Sequence, residues 1–111
     1  MDSLVDYSDC PIRFSIDILS SRWNVWLIQE ISKGVVRPCD LQRTIHIAPK
    51  RVLTKSLSDL EKKGILKRKI YPVLPPKVEY YLTDAGKALI PIISQLWAWG
   101  DKYKDQISKV E

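Results

Sequence analysis

The sequence predicts an α+β fold that is mostly helical, with four helices before a two-stranded β-hairpin and one helix after it. Apolar residues recur at helical spacing up to about residue 63 and again after Thr83. Gly34 and Gly64 stand where two of these helices should stop. After Gly64 the pattern becomes strand-like, interrupted by a proline-rich segment. The chain has 111 residues, which is enough for one domain with one modest core.

Two helices are predicted before Gly34. Residues 11–20 place Ile12, Ile16 and Leu19 at helical spacing, and Pro11 suits a first helical turn. Residues 23–33 form the second predicted helix, which ends at Gly34. The apolar stripe of this helix consists of Trp23, Trp26, Leu27 and Ile31.

Two further helices are predicted between Pro38 and Gly64. A short one opens at Pro38 and runs to Ile45, and residues 46–48 form a turn. A longer helix then spans residues 49–63 and stops at Gly64. Two helices joined by so short a turn form a helix-turn-helix.

The segment after Gly64 predicts a β-hairpin. Residues 65–71 and 78–82 have strand character, and the prolines within residues 72–77 exclude a central strand there. Thr83 has N-cap chemistry for a final helix. A helix-turn-helix followed by a basic hairpin is the winged-helix plan.

Positive charge is concentrated in the middle of the chain. The whole chain carries 18 Lys and Arg against 13 Asp and Glu, a net charge of +5. Residues 37–77 alone carry +8, whereas residues 1–36 carry −2 and residues 78–111 carry −1. A localised positive surface is expected of a protein that binds nucleic acid, although a solvated lysine-rich face would give the same count.

The predicted helix 49–63 has two chemically different faces. Leu53, Leu57 and Leu60 fall on one narrow face at 100° per residue, and basic and hydroxyl side chains fall on the other. In a helix-turn-helix, the N-terminal half of the second helix enters the major groove of DNA. An amphipathic surface helix without a DNA role would show the same spacing. The candidate DNA-binding residues are Lys50, Arg51, Thr54, Lys55 and Ser58, with Arg43 on the preceding helix and Lys77 beside the hairpin tip.

The hairpin offers a second candidate contact with DNA. Lys67, Arg68 and Lys69 are consecutive, so their side chains alternate between the two faces of a strand. The segment 71–78 forms the wing, and Pro75 and Pro76 favour an extended backbone at its tip. We expect this tip to lie on the minor groove or on the DNA backbone.

The sequence resembles the HxlR-type family of winged-helix transcriptional regulators, within the broader MarR-like group. The resemblance runs from about residue 10 to residue 100, and its most specific mark is the string YPVLPPKVEY at residues 71–80. Its other marks are Cys10-Pro11, Arg22-Trp23, Val52-Leu53-Thr54, Leu57, Leu60-Glu61, Gly64, Leu82-Thr83 and Gly86. The chain departs from the family at Pro38, at Ile47 in the turn and at Pro49 at the start of the recognition helix. The resemblance implies a dimeric cytosolic repressor or activator with paired terminal helices.

On this basis, residues 1–111 are expected to form one winged-helix domain, with residues 1–9 and 101–111 as extensions of the family-like part. The final helix has apolar residues on more than one side, and the N-terminal segment includes Leu4, Val5 and Tyr7. One small core cannot cover all of these residues, so they predict a homodimer; capping of the monomer core by the same residues is the alternative. The predicted interface residues are Ile12, Ile93, Leu96 and Trp97.

Cys10 is a candidate redox sensor. The resemblance implies this role, because in several members of the family the thiol at this position senses oxidants or electrophiles. The start of a helix favours thiolate, whereas the nearby Asp6 and Asp9 oppose it. An inert Cys10 remains the alternative, and Cys39 is expected to pack between helices.

Other functions receive less support from the sequence. The chain has one histidine, His46, and no glycine-rich phosphate loop, so catalysis, a metal site and a cofactor are not expected. Residues 1–9 do not read as a signal peptide, no apolar stretch reaches membrane-spanning length, and two cysteines suggest reduced thiols, so the expected location is cytoplasmic. Two alternatives stay open. One is a winged-helix module that binds protein rather than DNA, and the other is a small-molecule effector bound near the tryptophans.

Overall fold

The structure is a computed structural model that describes residues 9–108. It contains five helices and one antiparallel two-stranded sheet within that range. The elements are α1 (Pro11–Leu19), α2 (Arg22–Ser32), α3 (Pro38–Thr44), α4 (Lys50–Lys62), β1 (Leu66–Tyr71), β2 (Lys77–Leu82) and α5 (Asp84–Ser108). This is the winged helix-turn-helix architecture that the sequence predicts. Leu4, Val5 and Tyr7 lie outside the described residues.

The core lies between α2, α4 and the base of the hairpin. Its most deeply buried side chains are Leu27, Ile28, Leu41, Leu60 and Leu66, each less than 2 % exposed. Because these residues come from α2, α3, α4 and β1, one apolar cluster holds the helix-turn-helix and the hairpin together.

Helix ends are set by the residues that the sequence analysis identified. Gly34 and Gly64 both have positive φ, at 103° and 79°, the left-handed region that glycine occupies without a steric penalty. At the start of α5, the Thr83 hydroxyl accepts a hydrogen bond from the Gly86 backbone N–H at 3.2 Å. The predicted N-cap is therefore confirmed.

The hairpin is fixed to the helices at its base. β1 and β2 pair in register from Leu66 opposite Leu82 to Tyr71 opposite Lys77. The Tyr80 N–H donates to the carbonyl oxygen of Val36 at 2.9 Å, which attaches β2 to the connection between α2 and α3. Just after β2, in the first turn of α5, a Cβ on Gly86 would overlap the Ile65 carbonyl oxygen, so only glycine allows α5 to pack this closely on the hairpin base.

The terminal helices turn only part of their apolar surface towards the core. Ile12, a predicted interface residue, and Ile16 on α1 are 69 % and 56 % exposed, whereas Ile18 is buried. Ile93 on α5 is 3 % exposed and belongs to the core, so the structure places it away from the surface on which a dimer contact was expected. None of the helices between residues 9 and 108 is both long enough and apolar enough to cross a bilayer.

Candidate nucleic-acid interface

The N-terminal half of α4 carries an exposed polar face. Leu53, Leu57 and Leu60 are at most 3 % exposed, so α4 is held by its leucine face. The side chains that project to solvent from the first half of the helix are Lys50, Arg51, Thr54 and Lys55, called here the recognition face. The structure therefore brings together on one exposed face four of the five α4 residues that the sequence predicts to bind DNA. Ser58, one turn after Thr54, is half-buried.

A side-chain hydrogen bond holds the turn that presents α4. The Gln42 amide Nε2, on α3, donates to the carbonyl oxygen of Ala48 at 2.8 Å, and Ala48 is 2 % exposed. Pro49 is the N-cap residue of α4 and has no backbone N–H. The bond from Gln42 to Ala48 therefore fixes the residue that precedes the N-cap of α4, and with it the start of the recognition face. Pro49 itself offers no backbone donor to a phosphate.

Two of the candidate DNA contacts already have partners within the protein. The Thr54 hydroxyl donates its proton to the carbonyl oxygen of Lys50 at 3.0 Å, so it presents a methyl group and an acceptor oxygen outward. Arg43 on α3 lies 3.1 Å from the Asp40 carboxylate, in a pair whose arginine side chain is 78 % exposed. Such an exposed pair contributes little to stability, so Arg43 is free to exchange partners.

A cleft that sequence reasoning did not identify runs beside the recognition face. It lies between α4 and the junction of α1 with α2, and encloses about 600 Å³. Arg51 and Lys55 border it on one side, and Asp17 and Trp23 on the other. Because α1 and α2 are separated from α4 by many residues, no local sequence signal indicates this arrangement.

The hairpin separates its basic residues between two faces. The register places Lys67, Lys69 and Lys77 on one face, with Arg68 on the other. Arg68 lies 3.7 Å from the Glu61 carboxylate of α4, so the face that carries it is turned towards α4. At the tip of the hairpin, the apolar side chain of Leu74 is 96 % exposed. The sequence analysis, which looked for basic residues in the hairpin, did not identify it as a candidate contact with the minor groove.

Glu79 on β2 connects the hairpin to the start of α3. Its Oε1 accepts hydrogen bonds from the hydroxyl groups of Tyr71, at 3.0 Å, and Tyr81. Its Oε2 lies 3.6 Å from Nε of Arg37, the N-cap residue of α3. Strand pairing and one carboxylate thus fix the angle between hairpin and helix-turn-helix, a role that the sequence analysis did not assign to Glu79.

The same contacts shift two ionisation equilibria. The hydrogen bond from Tyr81, then that from Tyr71 and the charge of Arg37, hold the pKa of Glu79 below its usual 4.5, against a smaller opposing effect of burial. The hydrogen bond to Glu79, then that to Tyr71, raises the pKa of Tyr81 above its usual 10.0. Both shifts favour an ionised Glu79 beside a neutral Tyr81 near neutral pH.

The cysteines occupy different positions. Cys10 is the half-buried N-cap residue of α1, and its carbonyl oxygen accepts from the Phe14 N–H at 3.0 Å. Cys39 is exposed, so the expectation that it packs between helices is wrong. The buried side of α3 is taken by Leu41, and two residues along a helix correspond to a rotation of about 200°.

A family model decides the classification. The model described as "HxlR-like helix-turn-helix" matches residues 18–108, most of the chain and all elements from α2 to α5. The chain belongs to the HxlR-like helix-turn-helix family. The resemblance inferred from the sequence is confirmed, and members of this family are transcriptional regulators, which are not a class of enzymes.

Relatives with similar sequences and folds support the HxlR-like assignment. The HTH-type transcriptional regulator YdeP of Bacillus subtilis (strain 168) is 37 % identical over 106 residues, covering 96 % of this chain and 83 % of YdeP. The reduced form of the redox regulator HypR has a TM-score of 0.82 at 34 % identity, covering 89 % of this chain and 98 % of HypR. Diamide-treated YodB from B. subtilis has a TM-score of 0.73 at 32 % identity, covering 85 % of this chain and 94 % of YodB. This HxlR-like chain is accordingly a helix-turn-helix transcriptional regulator.

The contacts of Glu79 predict that the free energy of unfolding depends on pH, and that Glu79→Gln removes this dependence. A lowered carboxyl pKa stabilises the fold above pH 4.5, and this contribution is lost as the pH falls through the folded-state pKa. The raised pKa of Tyr81 stabilises the fold below pH 10.0, and this contribution is lost as the pH rises further. The measurement is the free energy of unfolding in urea at a series of pH values. The wild-type value should exceed that of Glu79→Gln most between these two pH limits, and the difference should shrink outside them.

Glu61→Gln is the matched control, because it removes the charge of a glutamate in a half-exposed pair with Arg68 and breaks no tyrosine contact. We expect the difference in free energy of unfolding between wild type and Glu61→Gln to be smaller and to vary less with pH. A difference between wild type and Glu79→Gln that stayed constant from acid to alkaline pH would contradict the role given to Glu79.

Proposed function

We propose that this HxlR-like regulator binds duplex DNA as a homodimer, with α4 in the major groove and the hairpin tip on the minor groove or the phosphate backbone. The observation that carries the proposal is the recognition face, where Lys50, Arg51, Thr54 and Lys55 project from the N-terminal half of a helix buried on its other side. That half of the second helix is the part that contacts base edges in helix-turn-helix proteins. The DNA-binding role also agrees with the +8 charge of residues 37–77.

The candidate residues have distinct proposed roles. Arg51 can form two hydrogen bonds with a guanine edge, and Thr54 can present its methyl group to thymine. Lys50 and Lys55 suit phosphate oxygens as point charges. Arg43, Ser58 and Lys77 lie outside the recognition face and are proposed as contacts with the flanking backbone.

Variants of Arg51 and Lys77 should separate base reading from phosphate binding. Arg51→Ala should lower affinity for the selected operator by about 1–3 kcal/mol and relax the preference for one base pair, whereas Lys77→Ala should weaken binding about equally on every sequence. The measurement is selection from a random DNA pool followed by gel-shift titration at two salt concentrations, with affinity falling steeply as salt rises.

Lys104→Ala serves as the control, because Lys104 is exposed on α5, away from α4 and the hairpin. It should bind DNA as wild type does. Absence of DNA binding at low salt would remove the proposal and favour a winged-helix module that binds protein.

The proposed dimer rests on apolar surface that the described residues leave uncovered. On α1, Ile12, Phe14 and Ile16 are 69 %, 60 % and 56 % exposed. On α5, Leu96 and Trp97 are 52 % and 66 % exposed. An apolar groove of about 470 Å³ lies between the two helices, and apolar side chains exposed together in this way are typical of protein–protein contact sites.

A two-fold dimer formed through this groove would explain why both α1 and α5 leave apolar side chains exposed. The self-complementary contact would place the same α1 and α5 surfaces of two copies against each other. It would also present two recognition faces to successive major grooves, which lie about 34–36 Å apart. Ile93 has no part in this interface because it is buried in the core.

Charge placed on the proposed interface should yield a folded monomer. Trp97→Glu and Leu96→Glu replace exposed side chains, so the circular dichroism spectrum should persist while sedimentation shows dissociation and operator affinity falls. Ile70→Glu is the control, since Ile70 is equally exposed, at 57 %, but lies on the hairpin. If both α5 variants remained dimeric, the contact would have to lie elsewhere.

A redox response through Cys10 is the second proposed property. It is supported by the similarity to HypR, which is a redox regulator, and by the position of Cys10 at the start of α1, next to the proposed dimer groove. A change at this thiol would act on α1 and hence on the spacing of the two recognition faces. The relatives are bacterial and archaeal proteins, and DNA in such cells lies in the cytoplasm, so we also propose a cytoplasmic location.

Diamide accepts two hydrogen atoms as it joins two thiols in a disulfide, here Cys10 with the same thiol of the second copy or with an added small thiol. This oxidation should change the DNA affinity of the wild type but not that of Cys10→Ser. Cys39→Ser is the matched control, because it removes the exposed thiol and should leave the response intact. The measurement is a gel shift before and after treatment, with reversal by dithiothreitol. A Cys10→Ser protein that responded like the wild type would exclude Cys10 as the sensor.

A further inference from the structure

We infer that Leu74, at the tip of the hairpin, lies on the floor of the DNA minor groove and makes the protein select A·T base pairs there. The Leu74 side chain is 96 % exposed, the highest value among the large apolar side chains of residues 9–108. A single exposed leucine is common on protein surfaces, so it is the position of Leu74 on the hairpin that indicates a role. The inference rests on the proposed function, in which the hairpin accompanies α4 onto duplex DNA.

The hairpin is long enough to reach the groove next to the one proposed for α4. Its strands pair from Leu66 opposite Leu82 to Tyr71 opposite Lys77. At about 3.4 Å per residue, the last strand pair lies roughly 17 Å beyond the first, and residues 72–76 follow it. The major groove is about 12 Å wide, so a hairpin of this length can pass one phosphate backbone and place its tip in the adjacent minor groove.

The tip of the hairpin differs in chemistry from the strands that support it. Residues 62–78 contain basic residues but no acidic one, whereas residues 72–76 are Pro-Val-Leu-Pro-Pro and have no polar side-chain atom. Phosphate oxygens are therefore attracted to the strand residues Lys67, Lys69 and Lys77, and not to the tip. An apolar tip on a cationic support suits the floor of a groove whose two walls are phosphate backbones.

The backbone of the tip also offers few hydrogen-bond donors. The three prolines among residues 72–76 have no N–H, and the Val73 N–H donates to the Tyr71 carbonyl oxygen at 2.8 Å. Within residues 72–76 this leaves the N–H of Leu74. Because proline fixes φ, ordering this segment on DNA costs less conformational entropy. The tip therefore meets DNA with an apolar side chain and not with the donors that would read acceptor atoms of the bases.

An apolar side chain on the groove floor distinguishes base pairs by the groups that they place there. An A·T pair presents only the acceptors adenine N3 and thymine O2, whereas a G·C pair adds the guanine N2 amino group. The Leu74 side chain has no acceptor for this amino group and would displace water from it, which leaves a buried donor without a partner. Binding over G·C should therefore be weaker than binding over A·T.

A protein partner is the other class of molecule that an apolar tip could contact. The apolar surface proposed for the dimer lies elsewhere, because no hairpin residue borders the groove between α1 and α5. The strands next to the tip carry Lys67, Lys69 and Lys77 on one face, which favours a polyanion. Duplex DNA is therefore the partner that matches both the tip and its support.

Base analogues test the selectivity in a gel-shift titration of the full chain. Each A·T pair of the operator selected by the wild type is replaced in turn by G·C or by I·C, in which inosine lacks only the N2 amino group of guanine. In the minor groove beside each α4 site, G·C should weaken wild-type binding by about fivefold or more, the lower end of the cost of a wrong base pair, and I·C should restore it. In the major groove G·C and I·C present the same groups, so contacts of α4 should not distinguish them.

Variants of the hairpin connect the preference to Leu74. Leu74→Ala should bind the A·T, I·C and G·C operators with nearly equal affinity, whereas Leu74→Met keeps the apolar bulk and should retain the wild-type preference. Ile70→Ala is the matched control, since Ile70 is 57 % exposed but lies on β1 and not at the tip. It should discriminate as wild type does. Because Leu74 is almost fully exposed, Leu74→Ala should also keep the wild-type free energy of unfolding and oligomeric state.

The possible outcomes separate the role of Leu74 from the proposed function. Equal binding of the wild type to all three operators, an I·C operator bound as weakly as G·C, or discrimination that persists in Leu74→Ala would overturn the role of Leu74 while DNA binding stands. Loss of the dimer in Leu74→Ala, measured by sedimentation, would assign the tip to a protein contact and overturn it as well. Absence of DNA binding by every form would overturn the proposed function together with this inference.

Discussion

The packing of the α4 leucine face determines what this protein can present to a partner. Leu53, Leu57 and Leu60 are almost completely buried against the core formed by α2, α3 and β1. A helix fixed along one side has only one orientation about its axis, so the opposite side necessarily projects Lys50, Arg51, Thr54 and Lys55. Loss of this packing would destabilise the core and randomise the direction of the recognition face together.

The hairpin needs a separate fixation, because a two-stranded ribbon has little stability of its own. The structure supplies it at the base through the bond from Tyr80 N–H to the Val36 carbonyl oxygen, and through Glu79, which two tyrosine hydroxyls and Arg37 approach. These contacts bind the hairpin to the start of α3. The tip, with its nearly fully exposed Leu74, is therefore held at a defined position relative to α4.

The remaining surfaces divide by chemistry. The outer sides of α1 and α5 are apolar and surround a groove, which suits a second copy of the chain. The face of the hairpin turned away from α4 carries Lys67, Lys69 and Lys77 and is therefore cationic.

The sequence by itself determined the order of elements, the ends of the helices and the polar face of α4. These features depend on local signals: glycine at positive φ, Thr83 as an N-cap, and leucines repeating with the helical period. Only the tertiary structure decided which apolar residues are inside, since periodicity defines a stripe but not the direction in which it faces. For this reason Ile12 lies outside and Ile93 inside, and Cys39 is exposed.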